Sequence, residues 1–88
     1  MNKYPLLTIY SKDNCQYCTR AKNLMTAKGI IYTEQKLDRD FTIEQLKEKF
    51  PDAKSFPIIE ISERGYLIGG YNELETWVNE WRDLNEQG

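Results

Sequence analysis

The 88 residues carry twelve Lys and Arg against fourteen Asp and Glu, a net charge of -2, with no basic block and no long run of one sign. That argues against nucleic acid or an anionic membrane surface as the main partner. Length suits one domain over residues 1–88, no stretch is apolar enough for a membrane-spanning helix, and the interrupted apolar run in residues 1–10 is too brief for a secretory leader. A soluble cytoplasmic protein is therefore expected. Histidine is absent, which removes the commonest metal ligand and the usual base for activating a nucleophile.

Residues 6–10, Leu-Leu-Thr-Ile-Tyr, read as a short buried strand closed by the polar cluster at 11–14. A helix follows. Cys18, Ala21, Leu24 and Met25 recur at three and four residues, Arg20, Lys22, Asn23 and Thr26 take the other side, and Gly29 after Lys28 marks the end. Residues 30–36 form a second strand, alternating in its later half as a sheet edge would, and strand-helix-strand within about thirty residues is a parallel crossover unit.

Thr42 with Gln45 three residues on has the form of a capping box for a second helix. That helix carries Ile43, Leu46 and Phe50 and stops at Pro51-Asp52. Residues 58–61 and 66–68 across a four-residue turn make an antiparallel hairpin, broken by Gly69-Gly70. Asn72, with Glu75 three residues on, suggests the N-cap of a last helix, on which Leu74, Trp77, Val78 and Trp81 form one stripe. Residues 86–88 read as a frayed end. Phe41, Phe50, Trp77 and Trp81 are assigned to the core by their spacing. The order β-α-β-α-β-β-α predicts an α/β fold, one mixed four-stranded sheet with helices on both faces.

The two cysteines, Cys15 and Cys18, stand two residues apart between the first strand and the first helix. A thiol of ordinary acidity, pKa about 8.5, is a few per cent thiolate at neutral pH, and only the thiolate attacks a disulfide. At the mouth of a helix Cys15 faces unpaired N–H groups and the positive end of the helix dipole, and Lys12 adds a cationic neighbour. Full ionisation raises the reactive fraction at most roughly thirtyfold. Cys18, one turn further on the apolar stripe, is expected to be more buried and to keep a higher pKa. The asymmetry casts Cys15 as the attacking sulfur and Cys18 as the one that resolves the mixed disulfide or closes an intramolecular one. Two other uses stay open from the residues alone: half of a zinc site, completed by a second chain or an external thiol, and a structural disulfide closing a loop too short to gain much entropy.

In four places the chain resembles the glutaredoxins, a branch of the thioredoxin-like superfamily. These are Tyr10-Ser11-Lys12 leading into Cys15-Gln16-Tyr17-Cys18, the loop Ser55-Phe56-Pro57, Gly69-Gly70, and Tyr71-Asn72-Glu73-Leu74 opening the last helix. The resemblance covers essentially the whole chain. It implies the thioredoxin-like fold and a thiol–disulfide oxidoreductase that uses glutathione as electron donor, with no permanently bound cofactor and no metal. Its substrates would be protein disulfides and glutathione mixed disulfides, with ribonucleotide reductase a frequent client of small members, and it would act as a monomer.

The resemblance also assigns residues. Pro57 would be cis, turning the N–H and C=O of Phe56 into the cleft for strand-like pairing with a peptide. Ser55 belongs to that loop, and Tyr17 lines the groove beside Cys15. Gly70, Tyr71 and Asn72 would meet the γ-glutamyl end of glutathione at a helix N-terminus, and Lys12 the glycyl carboxylate. The chain departs from the pattern in having Gln16 in place of the commoner Pro. Ser55-Phe56 replaces Thr-Val, which matters little if backbone atoms do the pairing. Asn72 stands where Asp is frequent, leaving the ammonium group to weaker recognition or to Glu73, and Glu44 stands where relatives place Gln or a cation. The C-G-F-S site of the cluster-carrying branch is absent. Two alternatives accompany this expectation: a hydrogen donor recharged by thioredoxin reductase, and an iron–sulfur cluster held by two chains and two glutathiones through Cys15.

Overall fold

The computed structural model describes residues 4–53 and 55–87, with side chains as far as Trp81. The elements are β1 (Leu7–Ser11), α1 (Gln16–Ala27), β2 (Tyr32–Lys36), α2 (Ile43–Lys49), β3 (Ile58–Ile61), β4 (Tyr66–Gly69) and α3 (Tyr71–Gln87). They build one four-stranded sheet in the order β2-β1-β3-β4. β1 runs parallel to β2 and antiparallel to β3, and β3 and β4 form the hairpin. β2 is an edge strand, as its alternation predicts.

Side-chain alternation in the strands divides the core. Leu7 and Ile9 of β1 and Ile59 of β3 point to one face, where Ala21 and Met25 of α1 and Leu74 and Val78 of α3 close over them. Each of the larger of these side chains, Leu, Ile, Met or Val, taken fully out of water, contributes about 1.5–3 kcal/mol. Tyr10 and Ile58 point the other way and meet Leu46 of α2 and Phe50, which was expected on that helix but lies just past it as its C-cap. The capping box of α2 is complete: Gln45 N–H donates to Thr42 Oγ1 at 3.2 Å, and Thr42 N–H donates to Gln45 Oε1 at 2.9 Å.

Four expectations shift. β1 extends to Ser11, a polar residue that can lie buried because its hydroxyl donates to the Glu34 carboxylate at 2.6 Å. β2 starts only at Tyr32. Gly29 takes a left-handed φ of 71° and Ile30 N–H returns to Met25 O at 2.8 Å, so Ile30 finishes the helix cap before the strand begins. The last helix opens at Tyr71 rather than after Asn72, because the Glu73 carboxylate reaches back to the Gly70 N–H at 2.9 Å and caps it there. Trp77 and Trp81, assigned to the core, are only half-buried, as is Phe41, whereas Phe50 is a buried core residue. The two indoles stack at 5.3 Å on the rim of the α3 face. Of the expected frayed end, residues 86–87 lie within α3 and residue 88 lies outside the described residues.

A polar cluster lies on the α2 face. Glu60, 3% exposed, accepts from the Tyr10 hydroxyl at 3.1 Å, and Lys49 donates to that hydroxyl at 2.7 Å and to Glu60 at 3.0 Å. Burial pushes the Tyr10 phenol above its ordinary pKa, and Lys49 is held above its own chiefly by its bond to the phenol oxygen.

Candidate active site

The chain leaves β1 at Ser11 and turns through Asn14, whose φ of 56° is a left-handed conformation that Asn tolerates well. Cys15 then takes the N-cap position of α1 with extended backbone angles, and its Sγ accepts the Cys18 N–H at 3.1 Å. A cap side chain normally brings oxygen to these donors; here the same geometry aims an N–H group and the helix dipole at sulfur. The two cysteines are joined in a disulfide with Cα atoms 5.2 Å apart. Cys18 is 2% exposed while Cys15 is half-buried, so an incoming sulfur reaches Cys15 first.

Two depressions border the disulfide end of the sheet. The first, about 500 Å³, is lined by Lys12, Cys15, Cys18, Lys22, Glu34 and Lys36 among others. Its carboxylates are already engaged: Glu34 by Ser11 and by Lys22 at 3.0 Å, and Asp13 by Lys36 at 2.7 Å. The Ser11 hydroxyl first, and Lys22 after it, hold the Glu34 carboxyl below its ordinary pKa. The second, about 250 Å³, is lined by Ser55, Pro57, Gly69 and Gly70 with Ala53 and Leu67. The Phe56-Pro57 bond there is cis. Gly69 is required at its place, since its φ is 128° and a Cβ would lie 2.7 Å from that of Glu73. At Gly70 a Cβ would approach the Pro57 carbonyl oxygen to 3.5 Å, so this loop and the start of α3 lie against each other.

Aromatic contacts join these parts. Exposed Tyr17 on α1 faces Tyr71 on α3 with ring centroids 6.0 Å apart, and the Arg20 guanidinium lies 5.5 Å over Tyr17. The Lys12 ammonium lies 5.6 Å from the centre of the Phe56 ring. Lys12, Cys15, Cys18, Tyr17, Ser55, Phe56, Pro57, Gly70 and Tyr71 thus gather around one end of the molecule. Asn72 stands apart, lining a depression with Tyr66, Ile68, Thr76 and Trp77 between β4 and α3. Glu44 is exposed in the first turn of α2.

Several residues at this end of the sheet, Glu34 and Lys36 beside the cysteines and Phe41 beside Phe56, are not legible as such in the sequence. Glu34 and Lys36 arrive because β2 pairs with β1, setting Glu34 opposite Ile9 and Lys36 opposite Ser11. Phe41 arrives because the loop before α2 folds it against Phe56, the rings stacked at 6.3 Å. The alternation of β2 and its place in the parallel crossover put it in the sheet of β1 but leave its register, and so the position of Glu34 and Lys36, unspecified.

A parallel crossover that delivers a capped, half-buried cysteine, disulfide-linked to a buried one at the end of a mixed sheet, defines a thiol–disulfide redox protein of thioredoxin-like fold. The Glutaredoxin family profile matches residues 7–65. The chain is 33% identical over 66 residues to glutaredoxin 3 of Escherichia coli K12, covering 75% of this chain and 77% of that one. It is 33% identical over 94 residues to glutaredoxin 1 of Rickettsia bellii, covering 100% of this chain and 87% of the relative. Among solved structures it resembles glutaredoxin 1 from Francisella tularensis in complex with cacodylate, with TM-score 0.71, 21% identity and coverage of 89% and 96%. The glutaredoxin from Brucella melitensis superposes with TM-score 0.66 at 28% identity, covering 90% of this chain and 84% of that one. The chain belongs to the glutaredoxin family.

Proposed function

We propose that the protein reduces protein disulfides and glutathione mixed disulfides at the expense of glutathione, by a dithiol mechanism. One observation carries this: Cys15 Sγ sits at the cap of α1 accepting the Cys18 N–H at 3.1 Å, while Cys18 is buried behind it. In the reduced protein the same cap stabilises a Cys15 thiolate. That thiolate attacks one sulfur of the substrate disulfide, forming a mixed disulfide and releasing the first substrate thiolate. Cys18 then attacks Cys15 Sγ, releasing the second and leaving the Cys15–Cys18 disulfide. Two glutathiones restore the dithiol: the first forms a mixed disulfide with Cys15 and frees Cys18, and the second takes off the bound glutathione as its disulfide. When the substrate is already a glutathione mixed disulfide, Cys15 alone suffices.

Glutathione lies, in this reading, with its cysteinyl backbone along Phe56 and its glycyl carboxylate toward Lys12. Ser55 and Pro57 shape the loop, and Tyr17 closes the side. Its γ-glutamyl carboxylate meets the start of α3 at Gly70, Tyr71 and Asn72. The Gly70 N–H is already taken by Glu73, so the first-turn N–H groups of Tyr71 and Asn72, which have no acceptor within a helix, do the binding. Asn72 then acts through its backbone, since its side chain belongs to the β4–α3 depression. No resident cofactor takes part. The protein acts as a monomer in the cytoplasm, with ribonucleotide reductase among its candidate clients.

The test is a glutathione-coupled assay on a small mixed disulfide and on a protein disulfide. Cys15→Ser should abolish both activities, and Cys18→Ser should keep the first and lose the second. Full activity in Cys15→Ser would refute the mechanism. Turnover from thioredoxin reductase and NADPH with none from glutathione would refute the electron donor.

A further inference from the structure

The side chain of Phe56 stands in a relation to Lys12 that backbone pairing alone would not require. Lys12 has no carboxylate partner among the described residues, because Asp13 is engaged by Lys36 and Glu34 by Lys22. Its ammonium lies instead over the Phe56 ring at 5.6 Å, where the negative face of the ring attracts a cation. The ring is itself held. Phe41 stacks against it at 6.3 Å, Tyr10 meets Phe41 edge-on at 5.5 Å, and the Tyr10 hydroxyl is tied to Lys49 at 2.7 Å and to Glu60 at 3.1 Å. A ring so braced cannot swing aside without breaking that column. A cation–π contact also leaves ammonium N–H donors open to an incoming carboxylate, which an ion pair with a neighbouring Asp or Glu would not.

We infer that Phe56 is a positioning residue for the carboxylate end of the groove: its ring, braced by Phe41, holds Lys12 where the glycyl carboxylate arrives. This rests on the proposed reading of Lys12. An aliphatic residue at position 56 would offer the same backbone for peptide pairing but no π face, and Lys12 would scatter over its solvated rotamers. The replacement of an aliphatic residue by Phe, which backbone pairing would leave without effect, thus sets how strongly the site distinguishes a charged from a neutral end group.

The experiment compares two mixed disulfides of one cysteine peptide, with glutathione and with its glycinamide, and reads the ratio of their kcat/KM values. A ratio cancels effects common to both substrates. In the wild type the free acid should be preferred, mainly through KM. Lys12→Gln should bring the ratio close to one. Phe56→Leu should lower it by about two- to fivefold, the range of an exposed cation–π contact, and Phe56→Trp should keep or raise it. On the Lys12→Gln background, Phe56→Leu should lower it no further. A ratio that falls in Lys12→Gln but is unmoved in Phe56→Leu overturns the role of Phe56. A ratio unmoved in Lys12→Gln overturns the reading of Lys12 itself. Should Phe56→Leu fail to fold, Phe56→Trp and the NMR shifts of wild-type Lys12 decide. Its ε-methylene protons should be displaced upfield by the ring, and unshifted protons would overturn the inference.

Discussion

On one face of the sheet Leu7, Ile9 and Ile59 meet Ala21, Met25, Leu74 and Val78, all essentially inaccessible to water. On the other, a seven-residue helix brings Leu46 and its C-cap brings Phe50 to the strands, with half-buried Phe41, Ala53 and Phe56 around them, and a buried carboxylate, Glu60, lies nearby. The first face is non-directional packing that holds α1, and with it the cysteines, in a fixed place. The second depends on directional contacts: the Tyr10–Glu60–Lys49 hydrogen bonds and the Tyr10–Phe41–Phe56 rings. Rigid placement thus serves the reacting sulfur, while the loop beside the groove is steered by a few contacts that a single substitution can alter.

The largest stability loss should come from the packed face. Leu74→Ala leaves a cavity at a site with no exposure and should cost about 2–5 kcal/mol, read from urea unfolding. Lys49→Met strips the cation from buried Glu60, but Lys49 is itself 50% exposed, so screening should reduce the loss to about 1–2 kcal/mol. If it equalled the Leu74 loss, the distinction between the faces would fail. The sign of its pH dependence sharpens the test. The Lys49 pKa is raised in the folded protein, so its contribution is present at neutral pH and disappears as pH climbs through the raised value above 10.5. The penalty of Lys49→Met should shrink in strongly alkaline solution.

Thr42→Ala, which removes a cap on the same thin face, should cost about 1 kcal/mol in the same unfolding experiment. A smaller effect is expected at the edge strand. Glu34 has its pKa depressed below 4.5 in the folded state, chiefly by Ser11, so its contribution is present above the unfolded value and is lost as pH falls through the folded one. Ser11→Ala should therefore weaken the acid dependence of stability on the low side of 4.5 and leave the alkaline side unchanged. An unaltered acid limb would show that the hydroxyl has no such role.

Much of this molecule is written in short-range patterns. The three- and four-residue spacing of α1, the pairing of Thr42 with Gln45 and the hairpin with its four-residue turn each depend on groups a few positions apart, so the chain order β-α-β-α-β-β-α follows from the residues themselves. Cys15 at a helix mouth and Cys18 on the apolar stripe belong to the same class. One local pattern misled: Asn72 with Glu75 has the form of an N-cap, but the reach of the Glu73 carboxylate to the Gly70 N–H starts α3 earlier, at Tyr71.

What the sequence by itself determined is the set of elements and the unequal pair Cys15 and Cys18, because backbone capping and amphipathic spacing act within one turn. What only the tertiary structure decided is their company. Tyr10 and Glu60 are fifty residues apart, Ser11 and Glu34 twenty-three, and Lys12 finds the Phe56 ring only when the loop before β3 folds back beside the end of β1. Such contacts are selected by strand register and by the burial of whole faces, and neither is encoded in any single stretch of the chain.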